Sequence, residues 1–134
     1  NKIFVIEVAP RLSGGYFSSK MIPSSSGINL IDLAIKMHLK EKFIINLKKK
    51  NLYITQRYFF TKSGKVTKIF IPKWLKNNKD IIFFELKIKK GTIIKKITNH
   101  ADRIGQIIVK GSTKENAIKL AQNICKSIKV SVKN

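Results

Sequence analysis

The chain has 134 residues, with 28 Lys and Arg against 7 Asp and Glu, a formal net charge of +21 and 43% hydrophobic residues, enough for one modest core. No apolar run approaches the ~20 residues of a membrane-spanning helix. The single Cys125 excludes an internal disulfide and a cysteine-based zinc site, and the distant His38 and His100 have no metal-ligand spacing.

Lysine supplies the charge almost alone, since Arg11, Arg57 and Arg103 are the only arginines. A surface selected to read phosphates recruits the planar, bidentate arginine fork. The balance therefore argues for a solvated lysine surface and compositional drift toward Lys, Ile and Asn, with no specific nucleic-acid partner and no membrane. One unpaired cysteine makes a reducing cytoplasm the expected compartment.

Ile3-Phe4-Val5-Ile6 predicts a strand over about 2–8, apolar on both faces and so suited to the middle of a sheet. It follows Asn1-Lys2 at once, which is not the pattern of a signal peptide. The neighbours that would cover both faces are missing from the sequence, so the chain is expected to be the C-terminal piece of a longer protein. Ala9 to Gly27 then reads as a polar loop of nearly twenty residues, a length that is usually functional or disordered. Residues 28–41 read as an amphipathic helix with Leu30, Ile31, Leu33, Ala34, Met37 and His38 on one face, which places His38 in packing rather than catalysis.

Beyond Lys48-Lys49-Lys50 the period changes to two. Leu52, Ile54, Tyr58 and Phe60 alternate with Tyr53, Thr55 and Arg57, and Ser63-Gly64 then turns into Val66–Ile71, which reads as a hairpin. Pro72 to Leu75 reads as a short turn or helix, 81–88 and 104–109 as strands separated by a break at Gly91, and 129–132 as a last strand. Ser112 and Glu115 match a capping box before a helix over 113–128, whose apolar face carries Ala117, Leu120, Ala121, Ile124, Cys125 and Ile128. Trp74, Tyr53 and Tyr58 are assigned to the core, Asp102-Arg103 to structural pairing, and His100 no role. The predicted class is α+β, with a soft boundary near 43–51: residues 1–45 belong to a larger fold, and 46–134 form a small antiparallel sheet backed by a helix.

The chemistry concentrates after the first strand. Alternation puts Ile3, Val5, Glu7, Ala9 and Arg11 on one side, and an acid behind apolar residues is costly to bury without a partner. Glu7 facing a Gly-Gly loop suits Mg²⁺, a hard cation that shares its shell with phosphates. Arg11 suits charge on a transferring phosphoryl group, and the Gly14 and Gly15 amides can approach an anion closely. The alternative is a Glu7–Arg11 salt bridge that holds a loop. Both readings stand on spacing alone.

Ile6-Glu7-Val8-Ala9-Pro10-Arg11-Leu12-Ser13-Gly14-Gly15 resembles the last core strand of ATP-grasp carboxylate–amine ligases, whose motif is Glu-x-Asn-x-Arg followed by glycines. Ser26-Gly27-Ile28-Asn29-Leu30 resembles the family's loop-to-helix entry. Ala101-Asp102-Arg103-Ile104-Gly105 and Gly111-Ser112-Thr113-Lys114-Glu115-Asn116-Ala117 are similar to its C-terminal extension. The resemblance implies ATP and Mg²⁺ as cofactors of the intact parent, with Glu7 as metal ligand, Arg11 as catalytic and substrate-binding residue, and Gly14 and Gly15 along the acceptor site. Ala9 stands at the asparagine position, as in the L-amino-acid ligase branch. The implied substrates are a small carboxylate and an amine, joined through an acyl phosphate. The implied partner is the N-terminal nucleotide-gripping portion, on the same protein or on a split subunit, without which the fragment is inactive. Two other classes compete: a basic nucleic-acid-binding α+β module, against which the scattered arginines argue, and a non-catalytic subunit of a split ligase.

Overall fold

The structure is a computed structural model that describes residues 2–45 and 52–133. It divides into two compact units, Asn1–Lys49 and Lys50–Asn134. The Lys48-Lys49-Lys50 run and most of the predicted boundary lie outside the described residues.

In the first unit the predicted strand over 2–8 is not formed. Ile3 and Ile6 are 96% and 98% exposed, and Phe4, Val5 and Val8 are also largely bare. A strand needs a neighbour for its amides and carbonyls, and the sheets among the described residues are built only from residues 53–133. The predicted loop is partly helical instead. Gly15 (φ 63°) and Tyr16 (φ 69°) carry the chain through the left-handed region into a π-helical turn, Phe17–Met21, in which the Tyr16 carbonyl accepts from the Lys20 and Met21 amides at 2.9 and 3.0 Å.

Helix α1, Ile22–Ser26, follows directly and is closed by Gly27 at φ 78°. Asn29 then caps α2, Leu30–His38, its Oδ1 accepting from the Asp32 amide at 3.2 Å. Because Lys40 takes a left-handed conformation at φ 56°, α2 ends before the predicted residue 41. His38 is exposed rather than packed, with Nδ1 2.8 Å from the Ala34 carbonyl oxygen.

The second unit is α+β. Strands β1 (Tyr53–Tyr58), β2 (Gly64–Phe70), β3 (Ile81–Leu86), β4 (Ile93–Ile94), β5 (Gly105–Gly111) and β6 (Lys129–Lys133) form two antiparallel three-stranded sheets, ordered β1-β5-β3 and β4-β2-β6. The predicted hairpin is therefore wrong: β1 pairs with β5, fifty residues on, while β2 joins the other sheet. Alternating side chains identify a strand but not its partner.

Central β5 carries Ile107, Ile108 and Val109, all fully buried, as expected of a strand covered on both sides. Helix α3, Lys114–Ser127, packs on β1 and β5, and its Ala121 and Ile124 join Ile107, Val109, Val66 and Ile128 in one core. A Cβ on Gly111 would lie 2.6 Å from the Ala117 amide nitrogen, so glycine is what lets the strand end press against the first turn of α3.

The cap of α3 sits one residue later than predicted. Thr113 Oγ1 accepts from the Asn116 amide at 3.1 Å, while Ser112 Oγ accepts from the Asn116 side chain at 3.3 Å. Of the aromatics assigned to the core, Tyr53 and Trp74 are exposed, whereas Phe59, the residue just beyond β1, is 5% exposed and stacks obliquely on Phe84 at 5.7 Å.

Candidate active site

Glu7, Arg11, Gly14 and Gly15 lie on one stretch of chain that the fold leaves open. Glu7 and Arg11 are exposed, and among the described residues no ion pair joins them. The salt-bridge reading therefore has no support in the geometry. The Arg11 amide donates to the Ala9 carbonyl at 2.8 Å, a tight turn around Pro10, and its guanidinium makes one long contact of 3.5 Å with the Leu12 carbonyl. The fork is left free to meet an anion.

The chain behind Arg11 is anchored by a residue that sequence reasoning missed. The Ser13 amide donates to Ser18 Oγ at 2.9 Å, and Ser18 is only 4% exposed. This bond and the left-handed Gly15–Tyr16 pair fold Gly14 and Gly15 back onto the π-helical turn. A Cβ on Gly14 would meet nothing within 4 Å, so the side-chain side of this glycine is open.

The donor chemistry suits one-carboxylate binding of Mg²⁺, a mode in which phosphates and waters fill the remaining positions. Glu7 accepts no hydrogen bond from the described residues, so its oxygens are available. No three His, Cys, Asp or Glu side chains cluster among the described residues, so Glu7 is not part of a multi-carboxylate metal cage there.

A second feature of this unit is an open cleft of about 1040 Å³, lined by residues including Gly27, Asn29, Asp32, Lys36, Glu41 and Phe43. It contains none of the predicted site residues. Its Gly27-Ile28-Asn29 rim falls on the segment read as the loop-to-helix entry. Asp32 and Lys36 pair at 3.0 Å one helical turn apart, an arrangement signalled in the sequence by their i,i+4 spacing.

Asp102 and Arg103 do not pair with each other. Asp102 Oδ2 accepts from the Thr98 amide at 2.8 Å, the Thr98 hydroxyl at 2.9 Å and the Asn99 amide at 3.1 Å, tying a short 3₁₀ turn, His100–Asp102. Arg103 lies over the Tyr58 ring, 3.7 Å from its centroid. The Thr98 amide and hydroxyl hold the Asp102 carboxyl below its ordinary value, with the Asn99 bonds adding to the effect.

A lowered carboxyl pKa stabilises the fold above the unfolded value and loses that contribution as pH falls through the folded value. Asp102→Asn should therefore lower the melting temperature at neutral pH, with the difference from wild type closing as pH falls below about 4. Melting curves across that range check it. Cys125 is half-buried against the core; burial pushes its thiol up, and the Arg57 charge only partly offsets this. That is the behaviour of a packing residue.

The family model for the L-amino acid ligase C-terminal domain 2 matches residues 57–133. The chain belongs to that family. Among solved structures it is similar to phosphoribosylglycinamide synthetase from Anaerococcus prevotii, at 26% identity and a TM-score of 0.69, over 84% of this chain and 30% of that one. It is also similar to L-amino acid ligase from Bacillus licheniformis, at 19% identity and a TM-score of 0.71, over 90% of this chain and 31% of that one. The second likeness shows the fold alone.

Both structures are ATP-grasp enzymes, so the L-amino acid ligase C-terminal domain sits here in an α+β frame of that kind. Both alignments extend well N-terminal of residue 57, which brings the first unit into the likeness. The chain spans about a third of the length of either structure. A comparison with curated proteins finds no match. No helix among the described residues is long and apolar enough to cross a membrane.

Proposed function

We propose that the chain is the C-terminal portion of an ATP-dependent carboxylate–amine ligase, with residues 1–45 ending the ATP-grasp core and 46–134 forming the appended subdomain. The observation that carries this reading is the family match over residues 57–133, behind a segment that presents Glu7, Arg11 and two glycines in the ligase order. The bare Ile3–Val8 segment supports it, since these side chains suit a strand whose sheet is supplied by the nucleotide-gripping portion, on the same protein or a split subunit.

In this reading Glu7 offers carboxylate oxygens to Mg²⁺, which when bound offsets phosphate charge. Arg11 aims its fork at the phosphoryl oxygens as they move from ATP to the substrate carboxylate. That transfer makes an acyl phosphate, whose phosphate is a far better leaving group than oxide when the amine attacks. Gly14, open where a side chain would stand, and Gly15 beside it line the acceptor side. A cytoplasmic setting is compatible with such a reaction's need for ATP.

The purified 134 residues should neither hydrolyse ATP nor form an amide, whereas the intact protein should do both and lose both on Glu7→Gln. A phosphate-release assay with Mg²⁺ on the three samples decides. Robust turnover by the isolated chain, abolished by Glu7→Gln, would refute the division of labour.

A further inference from the structure

The β4-β2-β6 sheet turns one face to the core and the other to solvent. Val66, Ile69, Val130 and Val132 point inward. The outer face carries Lys65, Lys68 and Phe70 of β2, Lys129 and Lys133 of β6 and Ile93 of β4, all exposed, with Phe70 at 53%. Lys65 stands directly opposite Lys133 in the register, and Phe70 opposite Lys129.

No strand of this sheet contains an acid, and the four acidic residues of the second unit, Asp80, Glu85, Asp102 and Glu115, all lie outside it. Like charges directly across a sheet are destabilising. Lysine on an exposed edge strand is ordinarily protection against edge-to-edge pairing, and this accounts for Lys129 and Lys133 of β6. It does not account for Lys65, where β2 lies between Ile93 of β4 and Lys133 of β6; Lys68 and Phe70 lie beyond the two-residue pairing with β4. Average composition explains many lysines. It does not explain Lys65 set against Lys133, with Lys68 on the same outer face and Lys129 facing an open aromatic ring, Phe70.

We propose that this outer face binds single-stranded nucleic acid without sequence selectivity, the lysines meeting phosphates and Phe70 stacking on a base. Phe70 separates this occupant from other polyanions, because a flat aromatic platform rewards a ligand with π-faces. The absence of arginine from the face fits a surface that tracks a backbone and reads no base edges. The proposal is independent of the ligase reading and uses none of Glu7, Arg11, Gly14 or Gly15.

The test is fluorescence polarisation of the full 134-residue chain with a labelled oligouridylate of about a dozen nucleotides, at roughly 50 and 200 mM salt. Replacing Lys65 and Lys68 together by glutamine should weaken binding on the order of tenfold at the lower salt and flatten the log–log salt slope by about 1.4, near 0.7 for each phosphate that is no longer neutralised. Replacing Lys114 and Lys119 of α3 by glutamine removes the same charge elsewhere and should change little. Phe70→Ala should weaken oligouridylate about fivefold or more and leave inorganic polyphosphate binding unchanged.

All these side chains are exposed, and a melting curve on each variant shows that the fold is kept. Equal losses from the two lysine pairs, an unchanged oligouridylate affinity in Phe70→Ala, tighter capture by anionic vesicles, or no binding at the lower salt would each overturn the proposal.

Discussion

Arg11→Lys in the intact protein should lower turnover on the order of 10²-fold while the melting temperature stays where it is. The guanidinium is exposed and makes a single contact of 3.5 Å to a carbonyl, so the fold has almost nothing to lose when it goes. Lysine keeps the charge and loses the planar fork that meets two oxygens of one phosphoryl group at once. Loss of a preorganised donor to a developing charge costs about 10²–10³ in turnover. Steady-state kinetics beside a melting curve read both quantities. Near-normal turnover with a large drop in melting temperature would instead make Arg11 a structural residue.

The largest expected effect on stability is at Ile107. It lies fully buried on the central strand, in the core shared with Val66 of the other sheet and Ala121 and Ile124 of α3. Ile107→Ala removes the buried side chain from the point where both sheets and the helix meet, and relaxation there can only partly close the cavity. The expected cost is about 2–5 kcal/mol. Ile93→Ala, whose side chain is 72% exposed on β4, should stay within about 0.5 kcal/mol of wild type. Urea unfolding of the 134-residue chain and the two variants checks the pair.

Helices α2 and α3 were legible because their signal is local, whereas the π-helical turn and α1 fall where a loop is predicted. Ala117, Leu120, Ala121, Ile124 and Ile128 recur at helical spacing, and α3 forms within a residue of the predicted limits. The strands after residue 52, except the two-residue β4, were legible as strands for the same reason, but their pairing was not. Nothing near Ser63-Gly64 says that β1 will take β5 as its neighbour and leave β2 to β6, because that choice is made by burying Ile107 and Val109 against α3.

At Ile3–Val8 the pattern described a side-chain environment that the described residues do not supply. Glu7, Arg11, Gly14 and Gly15 could be picked out by chemical type and order. The Ser13–Ser18 bond and the left-handed Tyr16 behind them left no sequence signal, since a serine five residues away has no period and a tyrosine at positive φ runs against its own preference.

The most direct test of the ligase assignment is a product balance on the intact protein supplied with ATP, Mg²⁺, a small carboxylate and an amine. Passage through an acyl phosphate releases ADP and inorganic phosphate in equal amounts, one of each for every amide formed, and all three should fall together in Glu7→Gln. Release of AMP and pyrophosphate, or amide formation with no nucleotide consumed, would contradict the assignment.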